Sequence, residues 1–153
     1  QWGRGTDGHE VRTSGKLVDN TNSSISPNNG LFLNGFTSDW VYPSNDNLWQ
    51  GNNAINNPCP IGFRLPTSSE FETERLSWSS NDNNGAFLSP LKLTMGGLRA
   101  YNSGDLAGVD LFGFYWTSNV DGTKSSYFGF DSSNIYSDPS ERKNGMSVRC
   151  IQE

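Results

Sequence analysis

The feature that most constrains the fold is a pair of cysteines, the only two in the 153 residues. Cys59 lies between prolines in "NPCPIGFRLPTSSEFE", directly before a predicted helix, and Cys150 lies near the end of the sequence. Two cysteines can form only one intramolecular bridge. That bridge would close a loop of about 90 residues and restrict the unfolded chain by ~4–5 kcal/mol in the loop-entropy model. The alternative is two free, buried thiols.

The composition favours the bridge. Hydrophobic residues make up 33% and charged residues 18% of the chain, and Gly, Asn and Ser fill the difference. Five Trp, five Tyr and nine Phe supply material for a core, so we predict one domain over residues 1–153 with many turns and ordered polar loops rather than disorder. Such a composition is typical of exported bacterial surface proteins, in which disulfides persist.

The charge pattern excludes two classes of partner. The net charge is −5, the isoelectric point is near 4.8, and no Lys/Arg cluster is larger than Arg142-Lys143. Nucleic-acid binding is therefore not expected, because it depends on clustered positive charge. No apolar run approaches the ~20 residues that span a bilayer, so we expect no membrane insertion.

The first third of the chain predicts loops. Turn-forming residues dominate 19–30 and 42–58, with a few short extended pieces between them. We expect aromatic side chains to order these loops, namely Phe32, Phe36, Trp40 and Trp49.

The remainder predicts one main helix and several short strands. A Thr or Ser cap followed by acidic residues, then Phe71 and Trp78 at helical spacing, indicates a helix over 67–78. Strand patterns follow at 91–99, 113–119, 125–131, 134–137 and 145–152. This order predicts an α+β fold, in which a Cys59–Cys150 bridge would fasten the helix onto the sheet.

Six motifs in this order resemble the Fibrobacter succinogenes major paralogous domain, a bacterial surface family. They are "QWGRGTDGHE", "NDNLWQG", "NPCPIGFRLPTSSEFE", "SPLKLTMGGLRA", "GFYWTSN" and "GMSVRCI". The resemblance covers essentially the whole chain, and its most specific parts are the block after Cys59 and the block that ends with Cys150.

The resemblance implies a C-type-lectin-like fold, with a conserved disulfide between the first helix and the final strand at Cys59 and Cys150. Family members usually carry a strand before the "QWGR" element. We therefore expect this chain to be the C-terminal part of a longer polypeptide. Its open sheet edge would be completed by an upstream segment or by neighbouring copies.

Catalysis and metal binding find little support in the sequence. His9, the only histidine, lies in a polar stretch with no Ser or Cys relay, which predicts a solvated loop residue. The related formylglycine-generating enzymes use two redox-active cysteines near the C-terminus, and here one cysteine lies far upstream. Asp105 and Asp110 lack the alternating ligands of a calcium loop. We expect no enzyme activity and no cofactor, with calcium unsupported.

The segment 117–145 is the candidate ligand-binding face. If Phe128 and Phe130 point inward, Tyr127 and Asp131 must point outward, because side chains alternate along a strand. Tyr, Ser, Asn, Asp and Gly are also the residues of adaptable binding surfaces. The alternative is a plain polar sheet edge. The candidate ligand-binding residues are Ser118, Asn119, Asp121, Lys124, Tyr127, Asp131, Asn134, Tyr136, Asp138, Glu141 and Lys143.

The sequence leaves three functions open. The first is a non-catalytic binding module, displayed outside the cell, on the cell surface or on a virion, that recognises a glycan or a surface protein. The second is a structural or decoration domain that packs on neighbouring copies. The third is a degenerate relative of the formylglycine-generating enzymes.

Overall fold

The computed structural model describes residues 1–18, 22–35 and 37–153, which form an α+β fold with few helices and several small sheets. No helix in these ranges is long and apolar enough to cross a membrane. The elements in chain order are β1 (Lys16–Val18), β2 (Phe32–Asn34), β3 (Phe63–Arg64), α1 (Ser68–Arg75), α2 (Asn83–Leu88), β4 (Leu98–Arg99), β5 (Leu106–Ala107), β6 (Gly113–Asp121), β7 (Lys124–Phe130), β8 (Ile135–Glu141) and β9 (Ile151–Gln152).

The predicted helix is α1, and its N-terminus follows from a capping box. The Thr67 hydroxyl accepts a hydrogen bond from the Glu70 backbone N–H, and the Glu70 carboxylate accepts one from the Thr67 backbone N–H. Arg64 adds two hydrogen bonds to the same carboxylate, at 2.9 and 2.7 Å. The helix ends at Arg75, three residues before the predicted end at Trp78.

Helix α2 was not predicted. Its sequence, "NNGAFL", favours turns over a helix, because Asn and Gly disfavour helix interiors. The Asp82 side chain accepts hydrogen bonds from the backbone N–H groups of Asn84 and Gly85 and so begins this short helix. Ala86 is fully buried, so tertiary packing supplies what the helix propensity lacks.

Three of the predicted strands form one antiparallel sheet in the order β6-β7-β8. Tyr115 pairs with Phe128, and Tyr127 pairs with Asp138, so the central strand β7 is bonded on both sides. The pairing of β6 with β7 shifts between Trp116 and Val120. The third strand, β8, runs four residues beyond its predicted end, to Glu141.

The other two predicted strands are much shorter than expected. Within 91–99 only Leu98–Arg99 forms a strand, and within 145–152 only Ile151–Gln152 does. The first residues of 145–152 make isolated bridges instead: Gly145 bridges to Arg99, and Ser147 bridges to Tyr115. The alternating pattern in 145–152 therefore belongs to a partly buried segment with isolated bridges rather than to a continuous strand.

Both faces of the β6-β7-β8 sheet are covered by buried side chains. One face packs against helix α1 through the helix cluster, which is Phe71, Ala86, Leu93, Tyr115, Phe128 and Phe130. The other face packs against the loop cluster, to which this sheet contributes only Trp116. The members of the loop cluster are Trp2, Leu33, Trp40, Val41, Leu48, Trp49, Leu65 and Trp116.

Aromatic side chains do order the N-terminal loops, as predicted for Phe32, Trp40 and Trp49, each at most 3% exposed. Phe36 and residues 19–21 lie outside the described residues. The Trp40 indole N–H donates to the Trp2 carbonyl at 2.6 Å, and the Trp2 indole N–H donates to the Thr117 carbonyl at 2.8 Å. These bonds tie the loops to strand β6.

Cys59 and Cys150 form the predicted disulfide and lie 91 positions apart in sequence. The bridge lies beside the short β3-β9 ribbon, in which Arg64 pairs with Ile151. The disulfide therefore joins the segment before helix α1 to the C-terminal segment. The expectation that it fastens the helix onto the main sheet is wrong, because β3 and β9 form a sheet separate from β6-β7-β8.

Glu70 should make stability depend on pH at acid pH. Hydrogen bonds from Arg64 are the main cause that lowers the pKa of Glu70 to about 2, from an ordinary value of 4.5. A depressed pKa in the folded state stabilises the fold above pH about 4.5, and this stabilisation is lost as the pH falls toward about 2.

Urea unfolding between these pH values should give a shallower slope of stability against pH for Glu70→Gln than for the native sequence. Glu74→Gln is the control, because Glu74 lies on the same helix and makes neither the cap nor the Arg64 pair. An unchanged slope for Glu70→Gln would contradict the assignment.

Candidate functional site

The same tripeptide, Phe-Gly-Phe, occurs at the start of strand β6 (112–114) and at the end of strand β7 (128–130), and the two strands pair so that each glycine faces a phenylalanine. Gly113 pairs with Phe130, and Gly129 pairs with Phe114. A Cβ at Gly113 would lie 2.6 Å from two atoms of the Phe130 ring. A Cβ at Gly129 would lie 3.2 Å from the Phe114 ring and 3.0 Å from the Tyr127 ring. Each glycine therefore makes room for a ring on its own face of the sheet.

The rings above Gly129 form the candidate site, the aromatic platform. Phe114 stacks on Phe112 with ring centroids 5.6 Å apart and meets Tyr127 edge-on at 5.4 Å. Tyr136 on strand β8 pairs with Gly129 on strand β7, so the two residues share a face of the sheet. Tyr127 lies two residues before Gly129 and is on that face as well. All four rings are partly exposed, and their members are Phe112, Phe114, Tyr127 and Tyr136.

Carboxylates border the platform on its β8 side. The Tyr136 hydroxyl donates to Asp131, and backbone N–H groups of Ser133 and Asn134 donate to the same side chain. The Tyr136 hydrogen bond, above all, lowers the pKa of Asp131 and raises that of Tyr136. Asp138 pairs with Tyr127 and is exposed. The platform thus combines partly exposed rings with carboxylates that can accept hydrogen bonds.

The platform is open because the loop cluster covers only part of this face. Trp116 pairs with Tyr127 and belongs to the loop cluster, while Tyr127 packs against that cluster's edge. Burial raises the pKa of Tyr127, which agrees with a ring that is only partly exposed. The predicted alternation is therefore confirmed, since Tyr127 lies on the face opposite Phe128 and Phe130, and its ring is partly exposed because it also packs against the loop cluster.

The structure divides the predicted binding residues between two faces. Five of them lie together at the platform or in the turn beside it: Tyr127, Asp131, Asn134, Tyr136 and Asp138. Lys124 pairs with Asp121 and with Glu141, and its ammonium lies 3.0 Å from the Glu141 carboxylate. Side-chain alternation along β7 places Lys124 on the Phe128 face, so this group does not join the platform.

Two predicted binding residues are buried, which corrects their assignment to the ligand-binding face. Ser118 is 5% and Lys143 is 1% exposed. Residues near Lys143 run through the interior, where its N–H donates to the Ser38 carbonyl and its carbonyl accepts from the Gln1 side chain. Asn119 is exposed, but its side chain accepts the backbone N–H of Ser68 at the start of α1.

His9 is buried rather than solvated, which also corrects the prediction. It is 6% exposed, and its Nδ1 lies 2.9 Å from the Asp7 carboxylate. Burial is the main cause that lowers the pKa of His9 to about 3. The His9 Nε2 lies 3.4 Å from the Gln1 backbone nitrogen. The Ser14 hydroxyl donates to the His9 carbonyl rather than to the ring. Nothing in this arrangement activates a hydroxyl or thiol nucleophile.

Asp7, His9 and Glu10 also form the one cluster of three metal-ligating side chains found among the described residues, with ligand atoms within 4.8 Å. Arg4 donates to the Asp7 carboxylate at 2.7 and 3.1 Å. A cation there would compete with this guanidinium for the same oxygens. Asp105, considered above for calcium, is held by Lys16 at 2.5 Å.

Sequence reasoning missed Phe112, Phe114 and Gly129 as parts of the site. The signal that points to them is the tripeptide Phe-Gly-Phe, which occurs at 112–114 and again at 128–130. Similarity to known proteins adds nothing further, because no family model, curated protein or solved structure matches the chain.

The two glycines should differ in their tolerance of a methyl group. Gly113→Ala overlaps a fully buried ring, and we expect it to lower the free energy of unfolding by about 3 kcal/mol or more. Gly129→Ala meets two partly exposed rings and the Gly113 carbonyl at 3.0 to 3.2 Å, and because this overlap is smaller we expect a loss of about 1 kcal/mol. Urea unfolding measures both, and equal losses would contradict the packing described.

Proposed function

We propose that the chain is a non-catalytic binding module that recognises a glycan through the aromatic platform. The observation that carries the proposal is the set of partly exposed rings from strands β6, β7 and β8, with Asp131 and Asp138 beside them. Rings offer flat apolar surfaces against which the C–H faces of a sugar can pack, and carboxylates accept hydrogen bonds from its hydroxyls.

The proposal extends to family and fold. The six motifs suggest membership of the Fibrobacter succinogenes major paralogous domain and a C-type-lectin-like fold. The Cys59–Cys150 disulfide supports this assignment, because it joins the two positions that the resemblance implies. The disulfide also supports display outside the cell, on a cell surface or a virion, since such bonds persist in oxidising compartments.

Two observations support a binding role over a catalytic one. Within the described residues, His9 holds Asp7 with one ring nitrogen and faces the Gln1 backbone nitrogen with the other, so no hydroxyl or thiol stands at the pair. Both cysteines are joined to each other, which leaves no redox-active pair of the kind that formylglycine-generating enzymes use.

An assembly or decoration domain is the second candidate. Several large apolar side chains on β5 and the segment after it are exposed, with Leu106 at 46% and Leu111 at 63%. Neighbouring copies, an upstream segment or a surface protein could cover them. A ligand other than a glycan is thus an outcome that the test below distinguishes.

Tyr136 is the cleanest test of the platform, because Tyr127 also packs against the loop cluster and its removal would disturb the fold. After a glycan array identifies a ligand, Tyr136→Ala should weaken its binding about thirtyfold, or ~2 kcal/mol, as for an anchoring ring. Thermal unfolding should change little, since Tyr136 lies at the sheet surface.

Phe87→Ala is the matched control, because Phe87 is an exposed ring on helix α2 outside the platform. Calorimetric titration with the same glycan should leave its affinity unchanged. If no glycan binds and the chain associates only with itself, the assembly role is favoured. If Tyr136→Ala binds as tightly as the native sequence, the site lies elsewhere.

A further inference from the structure

A second concave site lies apart from the aromatic platform and shares no residue with it. It is a cleft of about 210 Å³ between the N-terminal loop, the segment at β4 and the segment after Asn144. We name it the arginine cleft. Its apolar walls include Phe32, Trp49, Leu98, Met146 and Val148. This volume suits a ligand smaller than a drug-sized molecule.

Glycines keep the cleft open. Gly96, Gly97 and Gly145 all line it. A Cβ at Gly96 would lie 3.7 Å from the Arg12 guanidinium and 3.5 Å from the Ser147 hydroxyl, so both polar groups stand over bare backbone. Paired hydrogen bonds between Arg99 and Gly145, at 2.7 and 2.9 Å, hold the two segments of this wall together.

The cleft gathers positive charge in a chain whose net charge is −5. Its lining residues include three arginines, Arg4, Arg12 and Arg99, and one acidic residue, Glu10. Asp7 neutralises Arg4. Arg99 is 8% exposed, donates to Ser14 and to the Gly104 carbonyl, and lies over the Phe32 ring at 4.4 Å. Among the described residues, no carboxylate lies within 4.0 Å of Arg99.

Arg12 is the group free to bind a ligand. It is exposed, and within the described ranges it makes no hydrogen bond or ion pair. Its guanidinium lies over Gly96, at the cleft, rather than extending into solvent alone. A guanidinium binds a carboxylate through two parallel hydrogen bonds, and the positive charge of Arg99 nearby adds to the attraction.

We propose that the arginine cleft binds a small organic carboxylate. The apolar body of the ligand packs between Trp49, Met146 and Val148, and its carboxylate is held by Arg12. This site is independent of the aromatic platform and of the glycan that we assign to it.

The two methionines of the chain provide a direct test. Met146 lines the cleft, whereas Met95 packs against the helix cluster, so methyl labelling of methionine gives one reporter and one internal reference. Phenylacetate is the probe, and phenylacetamide is its neutral match in shape. Phenylacetate should shift the Met146 methyl resonance, with saturation in the millimolar range, and should leave the Met95 resonance unchanged. Phenylacetamide should bind at least about tenfold more weakly than phenylacetate.

Arg12→Gln should weaken phenylacetate binding about tenfold, because it removes the charged hydrogen-bond donors. Arg149→Gln is the matched control, since Arg149 is an exposed arginine that does not line the cleft, and it should bind as the native chain does. The proposal is overturned if phenylacetate leaves Met146 unshifted, if phenylacetamide binds equally well, or if Arg12→Gln binds as tightly as Arg149→Gln.

Discussion

The reciprocal pairing of glycine with phenylalanine on strands β6 and β7 is the constraint on which the rest of the structure depends. Gly113 leaves room for Phe130 on one face of the sheet, and Gly129 leaves room for Phe114 on the other. A strand pair that carries large rings on both faces can be packed from both sides. The helix cluster uses the first face, while the loop cluster and the aromatic platform divide the second.

This two-sided packing explains how a chain with 33% hydrophobic residues orders its long N-terminal loops. The loops have little regular secondary structure of their own, so their backbone groups need other partners. Trp40 supplies one through its indole hydrogen bond to the Trp2 carbonyl, and the Trp2 indole ties this loop to the Thr117 carbonyl of strand β6. Arg142 lies over the Trp2 ring at 4.7 Å. Arg142 also pairs with Asp39 and Asp46, so its buried charge is compensated.

Local signals in the sequence were sufficient for some parts of the fold. The capping box at Thr67 and Glu70 involves residues three apart, so it could be recognised without tertiary information. Alternation along 125–131 correctly assigned Phe128 and Phe130 to the core and Tyr127 to the opposite face. The Cys59–Cys150 bridge could also be predicted, because two cysteines can form only one intramolecular bridge.

Burial set by distant segments could not be predicted. Lys143 looks like a solvated charge until residues 1 and 38 are known to enclose its backbone. Helix α2 depends on a buried Ala86 that composition does not reveal. The platform required the strand register, because Phe114 and Gly129 are fifteen residues apart in sequence and become neighbours only through pairing.

The central claim is that the loop cluster and the sheet form one cooperative unit, and hydrogen exchange measures this most directly. The Trp40 indole N–H donates to the Trp2 carbonyl inside the loop cluster, and the Trp2 indole N–H donates to the Thr117 carbonyl of strand β6. If the claim is right, they should exchange with the same free energy of opening as the backbone amides of the central strand β7. If the indole protons exchange through a much cheaper opening while the β7 amides stay protected, the loops fold separately and the claim is wrong.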